Sequence, residues 1–249
     1  MRRISSKSKI ELAASLRSSP SSRRGDFASE TSNAVPNFKI DDWANCTRRD
    51  LEIVNWKDSP PFGRRKTLIG TLNLLAARRT EPQIIVEVGT SEAYSPDGLG
   101  NAMLAFGWYA KQFDSIIHAV DVREGAVQNS AAILRKYCFD ATRYVRFHRL
   151  DAFEYAAFVN NPEHDFYLPR IDLIYYDAPS EPWSWYVELH ERWKDKFQTR
   201  ALALFDDTES RMPFAGKGGA LIPKLLNEDW RQVPVDGEPV FPMVLLEKP

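Results

Sequence analysis

Two short apolar runs, each ending in acid, constrain this chain most. One is Ile171-Asp172-Leu173-Ile174-Tyr175-Tyr176-Asp177 and the other is Ala201-Leu202-Ala203-Leu204-Phe205-Asp206-Asp207. Strands buried on both faces of a helix-covered parallel sheet read as short, nearly continuous apolar stretches of this kind. Ligands of open α/β sheets bind just beyond the carboxyl ends of such strands. If the two strands are neighbours, Asp177, Asp206 and Asp207 converge on one spot. Three carboxylates crowd together only with a cation among them or with raised pKa values. An all-oxygen set suits a hard ion such as Mg²⁺ or Ca²⁺, which makes these three the candidate metal ligands.

The rest of the chain alternates in the same manner. Gln83–Val88 reads as a strand, Asn101–Gln112 as a helix, and Ser115–Val120 as a strand closed by Asp121. Gly125–Tyr137 is a helix, Tyr144–Leu150 a strand closed by Asp151, and Ala152–Asn160 a short helix. Helices across Trp183–Phe197 and Ala220–Asn227 follow the two acid-tipped strands. Trp230–Val235 and Val240–Glu247 read as strands joined at Asp236-Gly237, a hairpin signal. Alternating strands and helices specify a parallel sheet with right-handed crossovers. The expected fold is α/β, a doubly wound seven-stranded sheet, mostly parallel with an antiparallel last strand. Its expected order is 3-2-1-4-5 followed by an inserted pair, so strands one and four meet at the switch point.

Before this domain, assigned to residues 81–249, stand two segments. Residues 37–80 read as a helical cap, with Leu68, Ile69, Leu72, Leu74 and Leu75 at helical spacing over Arg64–Arg79. This cap offers a dimer surface or a lid over the site. Residues 1–36 form a basic, Ser-rich tail. Met1–Arg24 holds seven Lys/Arg against the single acid Glu11, too little apolar surface to fold alone. A disordered tail is the favoured reading, and an organelle-targeting peptide is the alternative.

Composition excludes several classes. The net charge of -1 leaves no basic surplus for nucleic acid or an anionic membrane. No apolar run approaches a membrane span. Two distant cysteines, Cys46 and Cys138, make neither a disulfide framework nor a zinc site, so a reducing cytoplasmic compartment is expected.

Each of the first three strand tips also carries chemistry. Gly89 follows Glu87-Val88 and lets a ligand approach the backbone closely. Asp121 at the second tip can accept both hydroxyls of a ribose. Asp151-Ala152 at the third can partner an adenine ring, and each acid also reads as a helix N-cap. Acids at four successive tips, with Glu87 at the first, weigh against that bland reading.

On these residues the chain resembles the class I S-adenosylmethionine-dependent methyltransferases, which implies a Rossmann-like domain. Glu87-Val88-Gly89-Thr90 looks like the family's first motif, with Ser91 and Ser95 in the loop that follows. The resemblance implies that Asp121 and Val122 hold the ribose side and that Asp151 and Ala152 hold the adenine side. Asp177, Asp206 and Asp207 resemble the Mg²⁺ ligands of the catechol and macrolide-sugar O-methyltransferases. The implied activity is methyl transfer to a hydroxyl of a small molecule, helped by a divalent cation that lowers the hydroxyl's pKa and templates the acceptor.

The chain departs from this pattern in two places. Ala93 replaces the late glycine of the first motif, and a longer loop separates Gly89 from Asp121. Ser180 stands where those relatives carry a basic residue. Asp177, Glu181 and His190 are therefore the candidate catalytic residues, each weighed against a solvated or packing role. Gly216-Lys217-Gly218-Gly219 reads as a flexible lid. Trp183, Trp185 and Tyr186 read as acceptor-pocket walls or as core. A nicotinamide-dependent oxidoreductase is the alternative enzyme, although Gly89-Thr90-Ser91-Glu92-Ala93-Tyr94 does not supply its glycine pattern. A non-catalytic cofactor-binding scaffold is the third reading.

Overall fold

A computed structural model describes residues 62–90, 102–178, 182–209, 214–234 and 243–249. The tail 1–36, residues 37–61 of the cap, the loop bearing Ser91 and Ser95, Glu181, and the Asp236-Gly237 turn lie outside the described residues. The strands are β1 (Ile84–Val88), β2 (Ile116–Asp121), β3 (Val145–Arg149), β4 (Ile171–Tyr176), β5 (Phe197–Phe205), β6 (Arg231–Val233) and β7 (Val244–Glu247). The helices are α1 (Phe62–Ala77), α2 (Ala102–Phe113), α3 (Glu124–Tyr137), α4 (Ala152–Asn160), α5 (Trp185–Trp193) and α6 (Leu221–Asn227).

One seven-stranded sheet runs β3-β2-β1-β4-β5-β7-β6. The pairs from β3 through β5 are parallel, and β7 is antiparallel to both β5 and β6. This is the Rossmann-like, doubly wound sheet expected from the alternation. The order reverses between β1 and β4, which opens a crevice at their carboxyl ends.

Alternate residues of each central strand feed two cores, because side chains of a strand point to opposite faces. Ile85, Leu173, Tyr175, Leu202, Leu204 and Leu245 pack beneath α1, α2 and α3. Val86, Val88, Ile174, Tyr176, Ala203 and Phe205 pack beneath α4, α5 and α6. The apolar stripe of α1 is built into the first core through Leu68, Ile69, Leu72 and Leu75. Its end is tied to the sheet by an Arg78–Glu247 ion pair of 2.9 Å and by a Gln83 Nε2 bond to the Leu75 carbonyl. Among the described residues, no helix is long and apolar enough to cross a membrane.

One strand begins earlier than its apolar run. β5 starts at Phe197, which is buried and pairs with Ile171. Gln198, Thr199 and Arg200 are exposed, the register shifts before Leu202, and Arg200 has φ 70°. The bulge carries polar residues that an apolar-run criterion cannot see.

Because Leu204 is fully buried at the centre of the first core, Leu204→Ala is expected to cost about 2–5 kcal/mol. Urea unfolding followed by circular dichroism measures it, and a cost well under 1 kcal/mol would contradict the core assignment.

Candidate active site

The tip of β1 touches the tip of β4 with no room for a side chain. Gly89 has φ +89°, and a Cβ there would lie 2.4 Å from the Ala178 nitrogen and 2.7 Å from the Asp177 carbonyl carbon. The Gly89 N–H donates to the Val120 carbonyl (2.9 Å) and the Asp177 N–H to the Val88 carbonyl (2.8 Å). These bonds carry the β2-β1-β4 ladder one step beyond the strands, so the three tips form one platform.

A cavity of about 150 Å³ lies on this platform. Val88, Gly89, Asp121, Asp151, Ala152 and Trp185 are among the residues that line it, and Val122, Arg123 and Ala178 also border it. Asp151 caps α4 by accepting from the Phe153 N–H at 2.8 Å, so the N-cap reading and the cleft position are both realised. The indole of Trp185 packs edge-on against Phe153, with ring centroids 5.4 Å apart. A carboxylate at the tip of β2, a flat indole, and backbone that a ligand can approach are groups a nucleoside could use.

The Asp121 carboxylate is fully engaged. Oδ2 accepts from the Thr90 N–H (2.8 Å) and from Arg123 Nη2 (2.8 Å). Oδ1 accepts from the Arg123 N–H (2.8 Å) and from Arg123 Nε (2.9 Å). These four bonds fill a carboxylate's roughly four acceptor sites. A ribose can bond Asp121 only when the Arg123 side chain releases it. Sequence reading missed Arg123, since an arginine two residues past a strand looks like any surface cation.

The second half of the site lies at the β4 and β5 tips. Carboxylate oxygens of Asp177, Asp206 and Asp207 come within 4.8 Å of one another, as the neighbouring-strand argument requires. Their oxygen set alone would suit a hard cation. The centre, however, holds the Lys217 ammonium. Its Nζ lies 2.5 Å from Asp177 Oδ1, 3.0 Å from Asp207 Oδ2 and 3.6 Å from Asp206 Oδ2. It also donates to the Asp177 carbonyl at 3.2 Å. Burial favours the neutral amine, but the surrounding carboxylates outweigh it and raise the Lys217 pKa. A divalent ion does not fit while this ammonium stands there.

The loop that delivers Lys217 is tightly determined. Asp207 adopts φ 46°, a left-handed conformation that costs about 1 kcal/mol even for a residue tolerant of it. Gly216 has φ +92°, and a Cβ there would sit 1.8 Å from the Asp207 carbonyl oxygen. The Thr208 hydroxyl donates to the Asp206 carbonyl (2.9 Å) and accepts from the Gly218 N–H (2.8 Å). Gly216–Gly219 is thus pinned to the acid tips rather than arching over them as a lid.

Glu87 sits between the two halves and is buried. Its Oε2 has no hydrogen-bond partner among the described residues. Burial, then the nearby Asp177 and Asp121, push its carboxyl well above the ordinary range. Thr90 is buried beside Asp121. His190 lies apart from the acids. It is buried on α5, its Nδ1 is 3.3 Å from the Tyr176 hydroxyl, and it stacks on Phe197 with centroids 5.1 Å apart. Burial lowers it to about 4. An imidazole enclosed in this way has no path to an acceptor's proton.

No family model matches the sequence, and no curated protein does. Solved structures resemble this chain only at low identity and at TM-scores below 0.5. A candidate methyltransferase of Streptococcus mutans, in complex with SAH, superposes with TM-score 0.49 at 12% identity, covering 72% of this chain and 96% of that one. An rRNA methylase of Streptococcus thermophilus gives 0.49 at 15%, covering 73% and 96%. A candidate O-methyltransferase of Klebsiella pneumoniae gives 0.47 at 15%, covering 86% and 90%. Likeness at this level carries no argument about this chain, whose fold rests on its own strand order and whose chemistry must come from the site.

The Glu87 environment sets a pH dependence. Its folded pKa exceeds its ordinary value of 4.5, so folding favours the protonated form. Its contribution to stability is full below 4.5 and is lost as pH rises through the folded value. Relative to the wild type, Glu87→Gln should gain stability as pH rises from 4.5 to neutrality. Urea midpoints of both proteins across that range test this, and a constant difference would contradict it.

Proposed function

We propose that this chain is an S-adenosylmethionine-dependent methyltransferase that acts on a hydroxyl oxygen of a small molecule. One observation carries the reading: a cleft at the β1–β4 switch point, lined by groups a nucleoside could use, adjoins a carboxylate cluster through consecutive residues. Ala178 borders the cleft and Asp177 enters the cluster. A nucleoside donor and an ionisable acceptor would then meet across a single peptide.

In this reading Gly89 provides the close backbone approach for the donor. Asp121 takes the ribose hydroxyls once Arg123 releases it. Ala152 and the Trp185 indole offer surfaces for the base. Burial, then its acidic neighbours, push Glu87 toward its protonated form, in which it can donate a hydrogen bond where an ionised carboxylate could only accept. The bound cofactor supplies a methyl group already activated on sulfur. The protein must align the acceptor oxygen in line and accept its proton, and alignment alone provides much of the rate. Asp177, at the junction and with its side chain 26% exposed, is better placed as proton acceptor than the enclosed Asp206 or His190.

The divalent cation implied by the family resemblance is not carried into this reading, because Lys217 Nζ stands among its would-be ligands. The nicotinamide alternative lacks the glycine pattern after β1. A scaffold without activity would bind the cofactor but never turn it over.

Calorimetric titration with S-adenosylmethionine and S-adenosylhomocysteine tests the cofactor site. Roughly micromolar binding is expected, weakened at least about tenfold in Asp121→Ala. Arg123→Ala should bind more tightly than the wild type, since its guanidinium no longer competes for Asp121. Folded protein that binds neither ligand would overturn the reading.

A further inference from the structure

We propose that Lys217 is a tethered cation that takes the seat of a divalent ion among Asp177, Asp206 and Asp207, so that this site works without a bound metal. The inference deepens the methyl-transfer reading and rests on it for the purpose of the site. The occupancy of the seat does not rest on it.

The geometry is that of a built-in counter-ion. Four oxygens lie within 3.6 Å of Nζ: Asp177 Oδ1, the Asp177 carbonyl, Asp207 Oδ2 and Asp206 Oδ2. They come from two strand tips separated by a crossover, and the lysine enters from a third segment. Surface ion pairs hold long side chains loosely and contribute little. Here the Lys217 side chain is 9% exposed and the Asp206 side chain 1%. The backbone is also committed to this arrangement. Gly216 is the only residue type that clears the Asp207 carbonyl, and Asp207 holds a left-handed conformation opposite it.

An ammonium and a divalent ion compete for the same oxygens but are not chemical equivalents. The metal has open coordination positions and can chelate two vicinal oxygens of an acceptor. The ammonium has three protons, and four protein oxygens already surround them. Lys217 therefore neutralises charge without offering a bidentate template. The acceptor need not carry vicinal oxygens, and a single hydroxyl suffices.

Mn²⁺, a spectroscopic probe for hard-cation sites, distinguishes the cases at neutral pH with full-length protein. Free Mn²⁺ is followed by electron paramagnetic resonance. The wild type is expected to take up no stoichiometric Mn²⁺ at these acids. Lys217→Met keeps the alkyl stem and removes the charge. It should bind one Mn²⁺ at least about 100-fold more tightly than wild type. The same ion should raise its melting temperature, and the double variant Lys217→Met/Asp206→Asn should lose both effects. One tightly bound Mn²⁺ in wild type, abolished by Asp206→Asn, would overturn the proposal by showing that a metal displaces the lysine. This wild-type arm decides the matter even if Lys217→Met fails to fold. S-adenosylmethionine binding on the same wild-type sample reports separately on the methyltransferase reading, whose failure would leave the Mn²⁺ result standing.

Discussion

The contact between Gly89 and the Asp177–Ala178 peptide holds the site together. A Cβ at position 89 would fall far inside van der Waals contact with backbone atoms, so the approach exists only because the side chain is hydrogen. The close approach brings the exits of β1 and β4 together where the sheet order reverses. The cleft opens on the Gly89–Ala178 side of this contact, and the carboxylate cluster forms on the Asp177 side. Widening the contact would separate the two halves, because no other described peptide belongs to both.

Charge is arranged around the same point. Glu87, Asp121 and Asp177 lie close enough to affect one another, and burial raises the cost of each negative charge. The structure meets that cost in three ways. Asp121 is clamped by Arg123 and by two backbone amides. Asp177, Asp206 and Asp207 gather around Lys217. Glu87 has no cation beside it among the described residues and is instead pushed toward its protonated form. The two cations differ in what they leave available. Arg123 borders an open cleft and can swing out, whereas Lys217 is enclosed and held by a loop with no spare backbone freedom.

Much of the fold was legible in the sequence because burial writes itself into strands. β4 after Asp172 and the apolar half of β5 are continuous apolar runs, and Asp177 and Asp206 fall just where the runs stop. The helix stripe at Leu68, Leu72 and Leu75 was equally plain. What escaped was local and polar. The first residues of β5 include a bulge with exposed side chains, which resembles a loop in composition. Within the site, Asp121, Asp151 and the three acids were legible as strand tips, because position along a strand determines the end of the sheet that a residue reaches. Arg123 and Lys217 were not legible, because a cation's role depends on which carboxylate it faces. His190 tempted as a base because titration chemistry is visible in a sequence while enclosure is not.

The sequence by itself determined the alternation of strands and helices, hence the doubly wound sheet, and the row of acids along its carboxyl edge. These follow from local periodicity and from the fixed direction of parallel strands. Only the tertiary structure decided what stands among the acids. Lys217 lies ten residues beyond Asp207 and forty beyond Asp177, and no spacing rule links them. Its place is set by the Thr208–Gly218 bond, by the positive φ of Gly216, and by the Coulomb attraction of three carboxylates gathered at the ends of two paired strands.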